Sequence, residues 1–196
     1  MPLRPWVRWG RLVQRQHAVF LDGFSREDDA AFRAHAQGVV DPGVDERVVE
    51  DLERASVHFV GRVAHEGMSR HAPSLSGPVA DVMNRAPKVV CARTLTRADG
   101  PETRIARGDV VDEVVVPKGE VEGEILAHGG FRLAEPLVRH DLVDVLNLNV
   151  VSVTLGRGTS LLATRSRPRV YRRVSSAAIL SVVIRQQLPR GAVGAP

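Results

Sequence analysis

The sequence predicts a three-layer α/β chain: a mixed, mostly parallel central sheet with helices on both faces and an antiparallel edge at the C-terminus. Three observations predict it. Short apolar runs alternate with helical patterns from residue 17 to residue 142. Two of those runs end on glycine and pass straight into helical pattern, HFV-GR at 58–62 and ILAH-GG at 125–130. The last runs, from 168 onward, follow one another with no helix between them, which is how an antiparallel pair reads.

In chain order, HAVFLDGF (17–24) is a buried strand stopped by a turn at Asp22-Gly23. Residues 25–42 are polar and irregular. VDERVVEDLERA (44–55) sets Val44, Val48, Val49 and Leu52 on one helical face, a surface helix covering a core. SVHFVG (56–61) is the next strand. GPVADVMNRAP (77–87) is a short helix entered at Pro78 and ended by Pro87. KVVCA (88–92) and TRIARG (103–108) are strands. DVVDEVVV (109–116) is a helix capped by Asp109 and cut off by Pro117.

EILAHGG (124–130) is a strand and a glycine turn. FRLAEPLVRHDL (131–142) is a helix with Pro136 near its start or at a kink. VDVLNLNVVSVTLG (143–156) is a long strand. PRVYRRV (168–174) and AILSVVIRQQL (178–188) form the closing pair. The domain boundaries read 1–15 as an arginine-rich N-terminal extension, 16–188 as one domain, and 189–196 as a disordered tail. The extension, with Trp6 and Trp9, is an arm, an added edge strand or an interaction segment.

Composition narrows the function. The hydrophobic share of 43% and charged share of 26% are those of a soluble globule. Lysine occurs only at Lys88 and Lys118, so the positive charge is almost all arginine; with abundant Ala, Val and Gly this points to a GC-rich bacterial coding sequence. A net charge of +4 spread among 23 acidic residues is not the localised basic stripe of a nucleic-acid binder. One cysteine, Cys91, excludes an internal disulfide framework and a cysteine-based zinc site. No stretch has the ~18–20 apolar residues of a membrane span, and no signal-peptide core is present, so a cytoplasmic location is expected.

The two strand–glycine–helix junctions are the candidate site. Open α/β sheets bind ligands at the carboxyl ends of their strands, where helix N-termini present free N–H groups to phosphates. Gly129-Gly130 leaves room for backbone to approach a pyrophosphate, and Arg62 supplies a planar fork. Neither junction carries the G-x-G-x-x-G or P-loop pattern. Asp22 ends an apolar strand, as a cap for the following turn or as a polar group facing the cleft.

His58, His65 and His71 match no metal-ligand spacing, so no metal is expected. LGRGTSLL (155–162) contains G-x-G but reads as a turn. Cys91 reads as a small core residue. Arg165, Arg167, Arg169 and Arg173 alternate as on one face of a strand, either a charged edge or an anion face.

Taken in order, LDGF (21–24), FVGRVAHEGM (59–68), MNRAPKVVCARTL (83–95), RGDVVDEV (107–114), EILAHGGFRLAEPLV (124–138) and LVDVLNLNVVSVTLGRG (142–158), with the terminal strand, resemble the riboflavin-biosynthesis reductase domain, the C-terminal part of the bacterial deaminase–reductase. That family shares the dihydrofolate reductase-like fold, and the resemblance covers roughly 17–187. It implies an NADPH-dependent reductase of a small polar or heterocyclic substrate, usually a homodimer. It implies that Gly61, Arg62, Ala64, His65, Ala92, Arg93, Gly129, Gly130, Phe131 and Leu133 border the cofactor, and that Asp22 orients or protonates the substrate.

The chain departs from the family pattern at three places. Ala64 stands where the stretch after Gly-Arg usually has Thr, Ala92 where Ser or Thr usually precedes Arg, and Ser152 where the long strand usually has Pro. Losing a hydrogen bond to a phosphate costs about 1.5–3 kcal/mol. The alternative expectation is therefore a chain that keeps the fold with an eroded cofactor site, a non-redox enzyme or a ligand- or partner-binding dimer. Pairing with nucleic acid or membrane is not expected. The fused deaminase domain, with its His/Cys zinc signature, has no counterpart in these residues.

Overall fold

A computed structural model of the chain describes residues 11–24, 49–71, 76–100, 102–160, 169–180 and 183–191. Eight strands among them form one sheet: β1 (Arg11–Phe20), β2 (Ala55–Gly61), β3 (Lys88–Cys91), β4 (Thr103–Ala106), β5 (Glu124–His128), β6 (Val145–Val151), β7 (Ser175–Leu180) and β8 (Val183–Pro189). Their spatial order is β4-β3-β2-β5-β1-β6-β8-β7. The first six run parallel, and β8 is antiparallel to both β6 and β7. The mixed sheet with an antiparallel C-terminal edge is therefore present.

Strand periodicity divides the apolar residues between two layers. Phe59, Val89, Ile125 and Ala127 point to one face and pack with Val114 of α3 (Val110–Glu120) and with Leu133, Ala134, Leu137 and Val138 of α4 (Phe131–Arg139). Leu126 and Val145 point to the other and pack with Leu52, in the helical turn at 49–53, and Val82 of α2 (Pro78–Arg85). The remaining helix, α1 (Arg62–His71), follows β2 directly. Phe59, Ile125, Leu126 and Leu137 are fully enclosed, each contributing about 1.5–3 kcal/mol relative to exposure. No helix among the described residues is long and apolar enough to cross a membrane.

Several element boundaries differ from the sequence reading, each for a local reason. β1 starts at Arg11, inside the segment read as an extension, because its first residues pair with β5 from Arg11↔Glu124 onward. Pro117 does not end α3. It sits inside the helix, where its fixed φ is helical and only one hydrogen bond is lost, while Asp109 caps the start by accepting from Val111 N at 2.8 Å. α4 stops at Arg139, short of 142, in a Schellman turn. Asp141 takes φ 57°, Leu142 N donates to Leu137 O at 2.9 Å, and Asp141 N donates to Val138 O at 3.2 Å.

The C-terminal pair is also corrected. The hairpin forms between Ser175–Leu180 and Val183–Pro189, so the run read as one strand holds most of β8 and the second half of β7, while 169 and 173 lie outside any strand. Arg169 is ion-paired with Asp141, so the alternating-arginine anion face is not formed at the described positions. Arg165 and Arg167, residues 1–10, residues 25–48 with Val44 and Val48, and residues 192–196 lie outside the described residues.

Candidate functional site

Because the first six strands are parallel, their carboxyl ends share one edge of the sheet, but that edge is stepped. β1 is paired with β5 only over Arg11–Gln14, then runs on beside β6 to Phe20↔Val151. At about 3.3 Å per residue, the ends of β1 and β6 overhang the end of β5 by roughly 13–17 Å. The β1–β6 ladder is thus a wall, and the exits of β2 and β5 form a floor at its foot.

At the floor the two glycine junctions touch. A Cβ added to Gly129 would lie 3.3 Å from Gly61 N and 2.8 Å from Leu133 Cδ2. One added to Gly61 would meet Gly129 Cα and Leu133 Cβ only at 3.7 Å. Gly129 is therefore required for packing, and Leu133, 5% exposed, is the support beneath both glycines. Gly130 is exposed and is the N-cap of α4. Phe131 is half-buried against the core.

The helices that leave this floor are electrostatically open. α4 has no side-chain cap and no acidic residue in its first turn, and α1 has no acidic residue there either. By contrast α3 is capped by Asp109 and carries Asp112 and Glu113, and α2 carries Asp81. Uncapped first-turn N–H groups carry the positive end of the helix dipole and favour an anion.

Three exposed arginines stand on the neighbouring exits: Arg62 after β2, Arg93 after β3 and Arg107 after β4. Arg107 Nη1 donates to the Arg93 carbonyl at 3.3 Å, which ties the two exits together. Arg62 is held by Glu66 at 2.7 Å on its own helix. Arg107 was not singled out from sequence; its place at the end of the strand next to Arg93 was the available signal.

The other expected positions divide. Ala64 is half-buried. Ala92 is buried, and its N–H donates to Ala106 O at 3.0 Å, so that amide is committed to the sheet. His65 is 6% exposed, with Nε2 3.4 Å from Ser69 Oγ. Burial pushes its pKa down, Lys88 in the same direction, while Asp99 and Glu66 oppose.

Asp22 lies at the top of the wall. Its Oδ2 accepts from both Leu155 N and Gly156 N at 2.7 Å. The Gly156 bond, with that from Leu155, lowers its pKa despite some desolvation, so the group is a carboxylate. It caps the loop after β6 and, through a bond from the Phe24 backbone, its own turn as well.

A buried histidine pair borders the floor. His58 Nδ1 and His128 Nε2 are 2.8 Å apart, with the rings stacked at 5.0 Å between centroids. One nitrogen donates and the other accepts. His128 is the last residue of β5, immediately before Gly129. The pair was legible only through register: Leu126 faces His58 and His128 faces Val60, which puts both rings on one face. Among the described residues no group of three or more His, Cys, Asp or Glu side chains is arranged to hold a metal. An open depression of about 510 Å³, lined by residues such as Val89, Glu102 and Arg104, lies at the opposite end of the sheet and takes no part in this site.

Comparison with known proteins bears on the fold. No family model and no curated protein matches the chain. Among solved structures, a candidate riboflavin biosynthesis protein from Shewanella sp. PV-4 is similar over 93% of this chain and 99% of its own, at 18% identity and TM-score 0.67. A diaminohydroxyphosphoribosylaminopyrimidine deaminase/5-amino-6-(5-phosphoribosylamino)uracil reductase from Thermotoga maritima is similar over 93% of this chain, at 16% identity and TM-score 0.62. This chain spans 57% of that one. Dihydrofolate reductase from Enterococcus faecalis, solved with NADP(H), is similar over 94% of this chain and 98% of its own, at 16% identity and TM-score 0.58.

Proposed function

We propose that this chain, whose fold is dihydrofolate reductase-like and of the kind found in riboflavin-biosynthesis reductases, is an NADPH-dependent reductase of a small polar or heterocyclic substrate, working as a cytoplasmic homodimer. The observation that carries the reading is the floor itself. Gly61 and Gly129 bring two helix N-termini together with no acidic residue in either first turn and arginines on three adjacent exits. That donor set fits a dinucleotide's pyrophosphate and phosphate.

Gly130 and the first turn of α4 would hold the pyrophosphate, and Arg62, Arg93 and Arg107 the remaining phosphate. NADPH, when bound, supplies the hydride. The chain's own work is to hold the ligand along the foot of the wall and to seat the acceptor near its top. Asp22, as a carboxylate, serves to orient and not to donate a proton.

The second reading, an eroded cofactor site, draws on Ala64, Ala92 and the Arg62–Glu66 pair, which leave fewer free groups for a phosphate. Calorimetry with NADPH and NADH separates the two. Micromolar binding that prefers NADPH, weakened about tenfold or more by Arg93→Ala or Arg107→Ala, supports the reductase. A folded protein that binds neither nucleotide belongs to the second reading.

A further inference from the structure

We propose that Asp22 is a positioning residue: its carboxylate fastens the Leu155–Gly158 loop across the tip of β1, and this fastened tip sets how tightly a ligand is held along the stepped edge of the sheet. The identity of that ligand rests on the reductase reading. The fastening itself does not.

Three observations carry it. A single oxygen, Oδ2, accepts two consecutive backbone N–H groups at 2.7 Å across 133 and 134 residues of chain. Both participants are presented by sharp turns. Gly23 N donates to Phe20 O at 2.8 Å with Gly23 at φ 79°, while Gly156 and Gly158 take φ 69° and 153°. A Cβ at Gly23 or Gly156 would meet nothing within 4 Å, so these glycines are there for the backbone angle and not for space. Finally, residues 152–159 are exposed except for half-buried Leu155, so apolar burial does little to order the segment.

β6 itself stops at Val151, and Leu21 N to Val153 O at 3.0 Å is the last backbone link before the clasp. Between that link and the β-bridge at Thr159, a charged acceptor on two amides holds the loop. The loop leaves the end of β6 at the top of the wall, the end at which the reductase reading seats the acceptor.

The test is amide hydrogen exchange on the ligand-free protein, followed by NADPH titration, for wild type, Asp22→Asn and Asp22→Ala. Asp22→Ala is expected to speed exchange at Leu155 and Gly156 at least about tenfold while Leu126 and Ala127 in β5 keep their protection, and to weaken NADPH about tenfold. Asp22→Asn keeps one carbonyl acceptor and the side-chain shape. It is expected to fall between, and it provides the readout should the alanine variant not fold. Unchanged exchange at 155 and 156 in both variants overturns the fastening. Faster exchange with unchanged NADPH affinity overturns its link to the ligand. If the wild type binds neither NADPH nor NADH, the reductase reading fails separately, and the exchange result still decides whether Asp22 holds the loop.

Discussion

The Gly129 backbone lies so close to Leu133 that a single added carbon would come within 2.8 Å of its Cδ2 and 3.1 Å of its Cβ. Across the same contact, Gly61 has ordinary van der Waals room. Two glycines that look equivalent along the chain thus have different reasons to be there.

Gly129→Ala is therefore expected to destabilise the fold by about 1–3 kcal/mol, since Leu133 is buried and cannot swing away freely. Gly61→Ala should cost less than the Gly129 substitution. Urea unfolding of the two variants checks the contrast. Equal losses would mean that Leu133 is not the constraint.

The His58–His128 pair should behave as a unit. Replacing either histidine by alanine leaves a buried nitrogen facing a lost partner and should cost about 1–3 kcal/mol beyond the loss of packing. A double-mutant cycle should show a coupling of about 0.5–3 kcal/mol. Additive effects would mean that the 2.8 Å contact contributes nothing specific.

Stability should fall on the acid side in two stages. His65 has a folded pKa below its ordinary 6.5, so below that value the unfolded chain takes up a proton that the folded one refuses, and stability is lost as pH falls from 6.5 toward the lowered value. Asp22 has a folded pKa below its ordinary 3.8; its contribution is present above that value and is lost as pH falls through the folded one. His65→Gln should flatten the first stage and Asp22→Asn the second. Thermal unfolding as a function of pH reads both.

Cys91 should be inert. Burial, reinforced by Glu113 and opposed by Arg104, pushes its thiol from 9.0 up to about 12, which lowers the thiolate fraction near pH 8 by roughly a thousandfold. Iodoacetamide should label the native protein far more slowly than the urea-unfolded one. Equal rates would place the thiol in contact with solvent.

Much of the fold was legible because it is written in local chemistry. The apolar runs at 56–61, 88–92 and 124–128, the Pro78 helix entry and the Asp109 cap are all decided within a few residues, and each appears where expected. Where reading failed, a longer-range contact won. AILSVVIRQQL reads as one strand by apolarity, yet its residues belong to two, β7 up to Leu180 and β8 from Val183, because β8 runs back along β6 while β7 pairs with β8 from the outside. FRLAEPLVRHDL reads as helix to its end, yet Asp141 takes a left-handed conformation that stops it.

For the site, the sequence by itself determined which residue types stand at the strand exits: Gly61-Arg62, Ala92-Arg93 and Gly129-Gly130, each directly after an apolar run. Only the tertiary structure decided what they do together. Strand order is set by pairing between residues far apart in the chain, so that β5 lies beside β2, Gly129 meets Gly61, and His128 meets His58. Register decided that β1 outruns β5, which carried Asp22 away from the glycine floor and onto the amides of Leu155 and Gly156. The physical reason is the same in each case: local propensity acts over a turn or a strand, whereas a binding edge is assembled by hydrogen-bond register between strands that the chain visits a hundred residues apart.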